Sequence, residues 1–491
     1  VESRKPKMTG SFLKNKNFAF VLACFTLAAV TLNIIIGLFF RPLWFDEALT
    51  VMDFVMLPDI ADIYRLYSIP NNHIVYNIFL RLWIDLCGQM PYAVSLRLFS
   101  VLTAFASIVL IMKLWSRRFS RETAVIACFC FAVSLPFAIY ATAIRGYMLS
   151  FLLIIISLEI ALCYRDDGKP AHLIFFSLLA FLAAGIMPTN LIAFAAIYLL
   201  VLPSLKPKEI FSDKTLYLGI IPVAALFIFY IPIFGKLMKA LSLSEGWSSG
   251  ISASIHLYGA FLISFLPLII LAPLGMFFSK EKPGAALKVQ ISLIFLIPLV
   301  VFLLKSPAPF PRAFFCLWPI WIFILCSMAD TFIRHFNGKF PGRALVAILC
   351  ACCAWVLWPY AFSVQLSDRL SKGGQDDFFK PYFMRAEFNP IGTVRKSIEL
   401  AGAKTSGFAF VDFAADHPSI IFYGRLLKVD DGFWIFDKPN RKVASPGNMG
   451  SIYVIARNQG GMESIAKRFN MKSYELAADC GYQKIYLAKL K

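Results

Sequence analysis

The chain has 491 residues, of which 59% are hydrophobic and only 16% charged, and its mean hydropathy is +0.70. A water-soluble domain carries about 25% charged residues, so this composition excludes one and points to a polytopic α-helical membrane protein. The net charge of +19 would suit a nucleic-acid binder. Its basic residues, however, lie in short loops between apolar runs and do not alternate with exposed aromatics, which excludes that partner.

In chain order, apolar runs predict spans at 18–40, 92–114, 123–141, 146–164, 171–187, 190–204, 215–234, 257–279, 287–304, 313–333 and 343–362, about eleven in all. The first has 23 residues without a charge, about 34 Å of helix, enough to cross a bilayer with some tilt. It is too long for a signal peptide and lacks a small-residue cleavage site, so it reads as a permanent anchor. The short pair 171–187 and 190–204 has a single re-entrant hairpin as its alternative. Basic clusters such as Arg117/Arg118/Arg121, Arg165/Lys169 and Lys206/Lys208/Lys214 recur in alternate loops. By the positive-inside rule those loops are cytoplasmic, with the N-terminus inside and the C-terminus outside an inner (plasma) membrane.

Between the first two spans lies a long loop, 44–90, holding Asp46, Glu47, Asp53, Asp59 and Asp62. Its apolar stretch 73–88 contains Arg81 and Asp85 and is short, so it reads as an amphipathic helix on the membrane surface. Loops of this length in compact proteins are usually functional. From about residue 363 charge, Gly and Pro rise and no run could span. Strands are predicted at 407–413, 420–423, 451–455 and 484–488, and helices at 391–401 and 461–469, which together make a small external α/β domain. The division is therefore 1–362 for the membrane region and 363–491 for the domain. Ten of the eleven cysteines lie in or beside apolar segments, where a thiol behaves as a small hydrophobe, and none has the spacing of a zinc site.

Chemistry concentrates on one side of the membrane. Two adjacent carboxylates in Arg41-Pro42-Leu43-Trp44-Phe45-Asp46-Glu47-Ala48 are costly to keep beside a bilayer. Asp46 reads as a general base taking a proton from an acceptor hydroxyl, with Glu47 orienting a partner. The alternative is an acidic cap on the first surface helix. Arg145, Lys305 and Arg312 sit at span ends on the same side and could hold a lipid-linked phosphate, or snorkel to ordinary lipid headgroups. His73, with Tyr76 beside it in Asn72-His73-Ile74-Val75-Tyr76, and Tyr147 in Ile144-Arg145-Gly146-Tyr147 are candidates for positioning substrate. Helix capping by Asn71 and Asn72 is the competing account of the first pair. Glu245-Gly246-Trp247 is a weak carbohydrate-contact candidate, Asp416-His417-Pro418 reads as a turn, and Glu159 is expected to pair within the bundle.

Four motifs in order resemble the GT-C-fold glycosyltransferases, in the group related to protein O-mannosyltransferases and the lipid A aminoarabinose transferase. They are Pro42-Leu43-Trp44-Phe45-Asp46-Glu47-Ala48, Leu96-Arg97-Leu98-Phe99-Ser100, Ala143-Ile144-Arg145-Gly146-Tyr147 and Pro311-Arg312. They cover most of the membrane region and none of the tail. The resemblance implies an external site, a polyprenyl-phosphate-sugar donor, and Asp46 as base in an inverting displacement. Where many members carry His-Pro-Pro-Leu-Tyr, this chain has Asn72-His73-Ile74-Val75-Tyr76, a departure that bears on the geometry of the surface helix. The acceptor would be a glycolipid, polysaccharide or protein. No cofactor is required, and a divalent metal bridging Asp46 or Glu47 to phosphate is compatible with the pattern.

Two further readings stand beside this one. A secondary transporter or lipid flippase would place charges or broken helices near the bilayer midplane, often in corresponding halves, whereas the candidates here gather at one interface. A membrane-anchored assembly protein would do its work through the tail and be indifferent to Asp46.

Overall fold

The computed structural model describes residues 16–39, 41–67, 72–87, 92–242, 250–279, 284–304, 310–336, 344–354, 387–402, 409–436 and 451–490. By its internal contacts the chain divides into two compact units, Val1–Phe39 with Ile60–Ser363, and Phe40–Asp59 with Val364–Lys491. Residues 40–59, which the linear division places with the membrane region, thus group with the C-terminal residues.

The first unit is helical. Among its described residues six helices are long and apolar enough to cross a membrane: Ala19–Phe39, Val94–Trp115, Tyr147–Asp167, Leu216–Lys239, Ala285–Leu304 and Pro311–Phe336. A seventh results if Ser254–Ser264 and Leu266–Phe278, bent by 76°, count as one. The bend falls at Phe265, which leaves helical geometry just before Pro267. Among the described residues the count by length and apolarity is therefore six or seven. Helices Pro170–Ile186, Asn190–Val201 and Ala344–Ala354 are apolar but shorter, and residues 355–362 of the last predicted span lie outside the described residues. The predicted span 123–141 is broken in two.

That break has a local cause. Ser134 is extended (φ −69°, ψ 147°) and serves both Arg121–Val133 and Leu135–Tyr140. Its Oγ donates to the Phe131 carbonyl at 2.7 Å and accepts the Phe137 amide at 3.3 Å, and Pro136 stands in the first turn of the second helix. Donor and acceptor freed by the interruption are thus met by one side chain, as apolar surroundings demand. Both helices are buried throughout their apolar length.

Two buried or half-buried carboxylates within this unit are paired. Arg118 donates to both oxygens of Glu159 at 2.7 and 2.8 Å, as expected for Glu159. Asp330 accepts from the Ser120 amide (2.8 Å), the Thr123 hydroxyl (2.7 Å) and Arg334 Nε (2.6 Å). The stretch expected to lie on the surface forms helix Ile74–Cys87. Its buried side is Ile74, Val75, Tyr76, Asn77 and Leu80, while Arg81 pairs with Asp85 on the more exposed side at 3.2 Å.

The second unit carries a five-stranded sheet of order β2-β1-β3-β5-β4. Its strands are β1 Ala409–Val411, β2 Trp434–Phe436, β3 Ser451–Ala456, β4 Met471–Cys480 and β5 Gln483–Leu490. Strand β1 pairs parallel with β2 and β3, and the β3–β5 and β5–β4 pairs are antiparallel. Helix Gln459–Arg468 covers one face, with Met462 and Ile465 packed on Phe410, Ile452, Val454 and Tyr486. Residues 420–423 are not a strand: they lie in helix His417–Leu426. Their short apolar run fits either period, and Asp416 with Pro418 just ahead supplies a helix start. Strand β4, whose burial is mostly partial or absent, carries no apolar alternation that would announce it. The same unit holds helix Phe45–Thr50, followed by a π-helical turn Val51–Val55.

Candidate active site

In the first unit the site is built around a six-residue interruption between helices Leu135–Tyr140 and Tyr147–Asp167. Here the backbone turns through Ala141-Thr142-Ala143-Ile144-Arg145-Gly146, and its polar groups find partners off the helix. The Ala143 carbonyl accepts from the Arg145 amide at 2.8 Å and from Ser100 Oγ at 2.5 Å. Ser100 thereby receives the Tyr76 hydroxyl at 2.8 Å. Tyr76 is fully buried and braces the turn through Ser100.

The Gly146 amide donates to His73 Nδ1 at 2.9 Å. A side chain at 146 would put its Cβ 2.4 Å from Ile186 and 3.0 Å from His73 Nδ1, so only glycine lets the ring approach. Ring Nε2 lies 3.1 Å from Arg145 Nη2. The Tyr147 ring meets His73 edge-on at 5.2 Å, and its centroid is 5.8 Å from the Arg145 guanidinium. His73 itself is held by its neighbours: its carbonyl takes the Asn77 amide, while Asn77 Nδ2 donates to Asn72 Oδ1 and Asn72 Nδ2 to the Ile63 carbonyl, all at 2.8 Å. Asn72 thus braces the start of the helix through the Asn77 side chain and the Ile63 carbonyl, beside a placed histidine.

Electrostatics follow from this enclosure. Burial, and then the charges of Arg145 and Arg312, push the His73 pKa well below the ordinary histidine range. Tyr67, buried and within the field of Arg145, is raised by desolvation to about 12, with Arg145 pulling the other way. The structure therefore gathers Arg145, His73, Tyr147 and Tyr67, with Arg312 acting on the same imidazole. Arg312 lies in the first turn of the helical stretch Pro311–Leu317, just before Trp318, and stacks on Phe310, 4.4 Å from the ring centroid. Lys305 and Glu245-Gly246-Trp247 lie outside the described residues. Arg97, buried, donates to the Gly37 carbonyl at 2.8 Å near the end of the first span.

In the second unit, Asp46 and Glu47 occupy the first turn of helix Phe45–Thr50 and are both buried. Glu47 accepts the Trp44 amide at 3.4 Å, the reach-back of an acidic residue at the third helical position. An indole only donates, so Trp44 contributes no reciprocal side-chain cap. Glu47 is thus a cap in fact, while Asp46, one residue earlier, points from a helix start that Glu47 helps to fix. The sequence marks neither Tyr67 nor Tyr423 and reads Asp416 only as part of a turn, yet Asp416 and Tyr423 reach the backbone of this segment. The one signal was Asp416 two residues before Pro418, a helix-start pattern. Among the described residues no group of three or more His, Cys, Asp or Glu could hold a metal ion.

No protein-family model matches the sequence, and no curated protein matches it. The likeness lies in the fold. ArnT from Cupriavidus metallidurans, in the apo state and bound to undecaprenyl phosphate, superposes with a TM-score of 0.57 in each case and 11% identity. The alignments cover 95% and 96% of this chain and 98% of ArnT. An oligosaccharyltransferase of Archaeoglobus fulgidus aligns at a TM-score of 0.42 and 13% identity, over 85% of this chain and 62% of its own, too loosely to add to the assignment. A helical, multi-pass membrane unit joined to a small C-terminal sheet, aligned along nearly its whole length with ArnT, has the GT-C fold.

Proposed function

We propose that the protein is an integral-membrane inverting glycosyltransferase. It moves a sugar from a polyprenyl-phosphate-linked donor to an acceptor hydroxyl on the external face of the membrane. Asp46 takes the hydroxyl proton as the acceptor oxygen attacks the anomeric carbon. The bond from that carbon to the phosphate oxygen breaks, and polyprenyl phosphate leaves with one more negative charge than it had in the donor. Because the leaving group is already a phosphate, the protein must chiefly deprotonate, align and neutralise developing charge. Arg145 and Arg312 take the last task, with Lys305 assigned to it from sequence, and Tyr147 supports Arg145. A divalent ion, were one bound, would take Asp46 or Glu47 as a carboxylate ligand and would supply neutralisation of the developing phosphate charge.

The observation that carries the reading is the His73–Arg145 contact within a fold shared with a protein seen bound to undecaprenyl phosphate. A backbone amide can only donate, so Nδ1 of His73 accepts from Gly146 and the neutral ring carries its proton on Nε2. Nε2 and Arg145 Nη2 are then two donors 3.1 Å apart. An anionic oxygen accepting from both relieves that contact, which is what a donor phosphate supplies.

The test is transfer of label from a panel of radiolabelled polyprenyl-phosphate sugars, in membranes holding wild type or Asp46→Asn. Transfer by wild type alone supports the reading and identifies the sugar. Equal transfer by both proteins removes Asp46 as base. No transfer from any donor by well-folded wild type moves the transport reading to the front.

A further inference from the structure

We infer that Asp416 and Tyr423, on the C-terminal helix His417–Leu426, are positioning residues for Asp46, resting on the reading of Asp46 as base. Three successive backbone amides lead into Asp46, and each is taken by a side chain. Leu43 N–H donates to the Tyr423 hydroxyl at 2.7 Å, Trp44 N–H to Glu47 Oε2 at 3.4 Å, and Phe45 N–H to Asp416 Oδ2 at 3.0 Å. Amides at a helix start have no partner within the helix. Here two of the three partners come from residues about 370 to 380 positions further along the chain.

Asp416 serves two helix starts at once. Its Oδ1 accepts from the Ser419 amide (3.3 Å) and hydroxyl (2.6 Å), capping its own helix, while Oδ2 takes Phe45 of the other. One carboxylate thereby faces the positive ends of two helices, which favours its charge. To do so Asp416 adopts a left-handed backbone (φ 60°), a conformation that Asp tolerates better than most residues. The His417 ring meets Phe45 edge-on at 5.8 Å. Asp416, Tyr423, Leu43 and Trp44 are all buried and Phe45 is half-buried, so these bonds are largely shielded from water.

The direction of Asp46 is set by the residue before it, and the residue before it is held by Asp416. A base misplaced by about 1 Å loses on the order of a hundredfold in rate. The C-terminal helix therefore belongs to the catalytic apparatus, and the segment 416–423 acts through Asp46 without touching substrate.

Full-length Tyr423→Phe, Asp416→Asn and Asp416→Ala, purified in nanodiscs, test this in two ways. Amide hydrogen exchange of peptides covering 43–48 should rise about tenfold in Tyr423→Phe and Asp416→Ala, with helix Tyr147–Asp167 unchanged. In the transfer assay kcat should fall about tenfold for Tyr423→Phe and about a hundredfold for Asp416→Ala, with donor KM within about twofold of wild type. Asp416→Asn, which keeps one acceptor oxygen, should lie between. Tyr423→Phe removes a single hydroxyl and keeps the test standing where Asp416→Ala does not fold. Unchanged exchange over 43–48 would overturn the clamp. Faster exchange with wild-type kcat, while Asp46→Asn is inactive, would overturn the positioning role alone. Full activity of Asp46→Asn is the separate result that removes the base.

Discussion

His73 Nδ1 accepts the Gly146 amide at 2.9 Å, and this bond joins the start of helix Ile74–Cys87 to the turn that carries Arg145. It exists because residue 146 has no side chain. In Gly146→Ala the new Cβ would fall 2.4 Å from Ile186 Cγ2 and 3.2 Å from Tyr76 Cβ. The ring and the turn must separate to admit it. Overpacking of this kind costs about 1–3 kcal/mol, so we predict a lower melting temperature in detergent and loss of most transfer activity. A variant as stable and as active as wild type would show that the turn yields freely, and the histidine would lose its claim to be fixed.

The same bond sets a pH dependence. Protonating His73 would place a second N–H against the Gly146 amide and a positive charge beside Arg145 and Arg312. Its folded pKa is accordingly depressed. A depressed histidine pKa means that the unfolded chain binds the proton first. Stability is complete above the unfolded value of about 6.5 and declines as pH falls below it toward the folded value. We expect the melting temperature to drop between pH 6.5 and 5 with a slope of at most one proton. In His73→Gln, whose amide oxygen can accept from Gly146, that part of the slope should vanish. Identical slopes in the two proteins would assign the acid sensitivity to other groups.

Asp46 and Glu47 are neighbours with separable roles. Loss of a general base typically lowers rate by about 10²–10⁴-fold, and Asp46→Asn should do so while the protein stays in the membrane. Glu47 accepts the Trp44 amide, a task the amide oxygen of glutamine also performs. Glu47→Gln is therefore predicted to retain activity within about tenfold of wild type. Equal losses at both positions, measured as kcat in membranes of matched protein content, would mean that the pair acts as one unit.

How much of this could be read from residue order depended on the distance over which each feature is determined. The apolar helices and the sheet-bearing tail follow from local pattern, which also nominates Asp46, Arg145 and His73 as candidates. The break at Ser134 is local too, yet it is hidden inside a run apolar enough to read as one span. The partners of Leu43 and Phe45 are another matter. Tyr423 and Asp416 lie some 370 to 380 residues away, and nothing in either segment names the other. Tyr76, a substrate-positioning candidate by its place beside His73, has its hydroxyl bonded to Ser100, a partner that residue order does not name. Residue order shows which groups are available; packing decides which of them remain available to a ligand.

Arg145 and Arg312 should differ when replaced by lysine. Arg145 is bracketed by His73 and the Tyr147 face, a setting that uses the planar fork and stacking of guanidinium. A lysine there keeps the charge but not the geometry, so Arg145→Lys is predicted to raise donor KM by about tenfold or more. Arg312 is only partly buried and stacks on Phe310. Arg312→Lys should cost less than Arg312→Ala, and both should weaken use of the donor more than use of the acceptor. Donor titrations at fixed acceptor, and the reverse, separate these outcomes. Unchanged donor dependence in Arg312→Ala would return that residue to ordinary headgroup contact.

Near the end of the first span, Gly37 lies against the turn that carries Arg145. A Cβ at residue 37 would sit 2.1 Å from Thr142 Oγ1 and 2.7 Å from Thr142 Cβ, while the Gly37 carbonyl accepts Arg97 Nη1 at 2.8 Å. Backbone therefore packs directly on the side chain of Thr142, and the Arg97 bond fixes the rotation of the helix at that point. Gly37→Ala forces the two apart and should destabilise the protein by about 1–3 kcal/mol. Because Thr142 Cβ is itself too close, Thr142→Ala should rescue it only in part, whereas Thr142→Gly should restore most of the melting temperature. Contacts that share one clash are expected to be non-additive in this way. If the two substitutions at 142 rescue equally, or not at all, the helix has room to move and the turn is not seated against it.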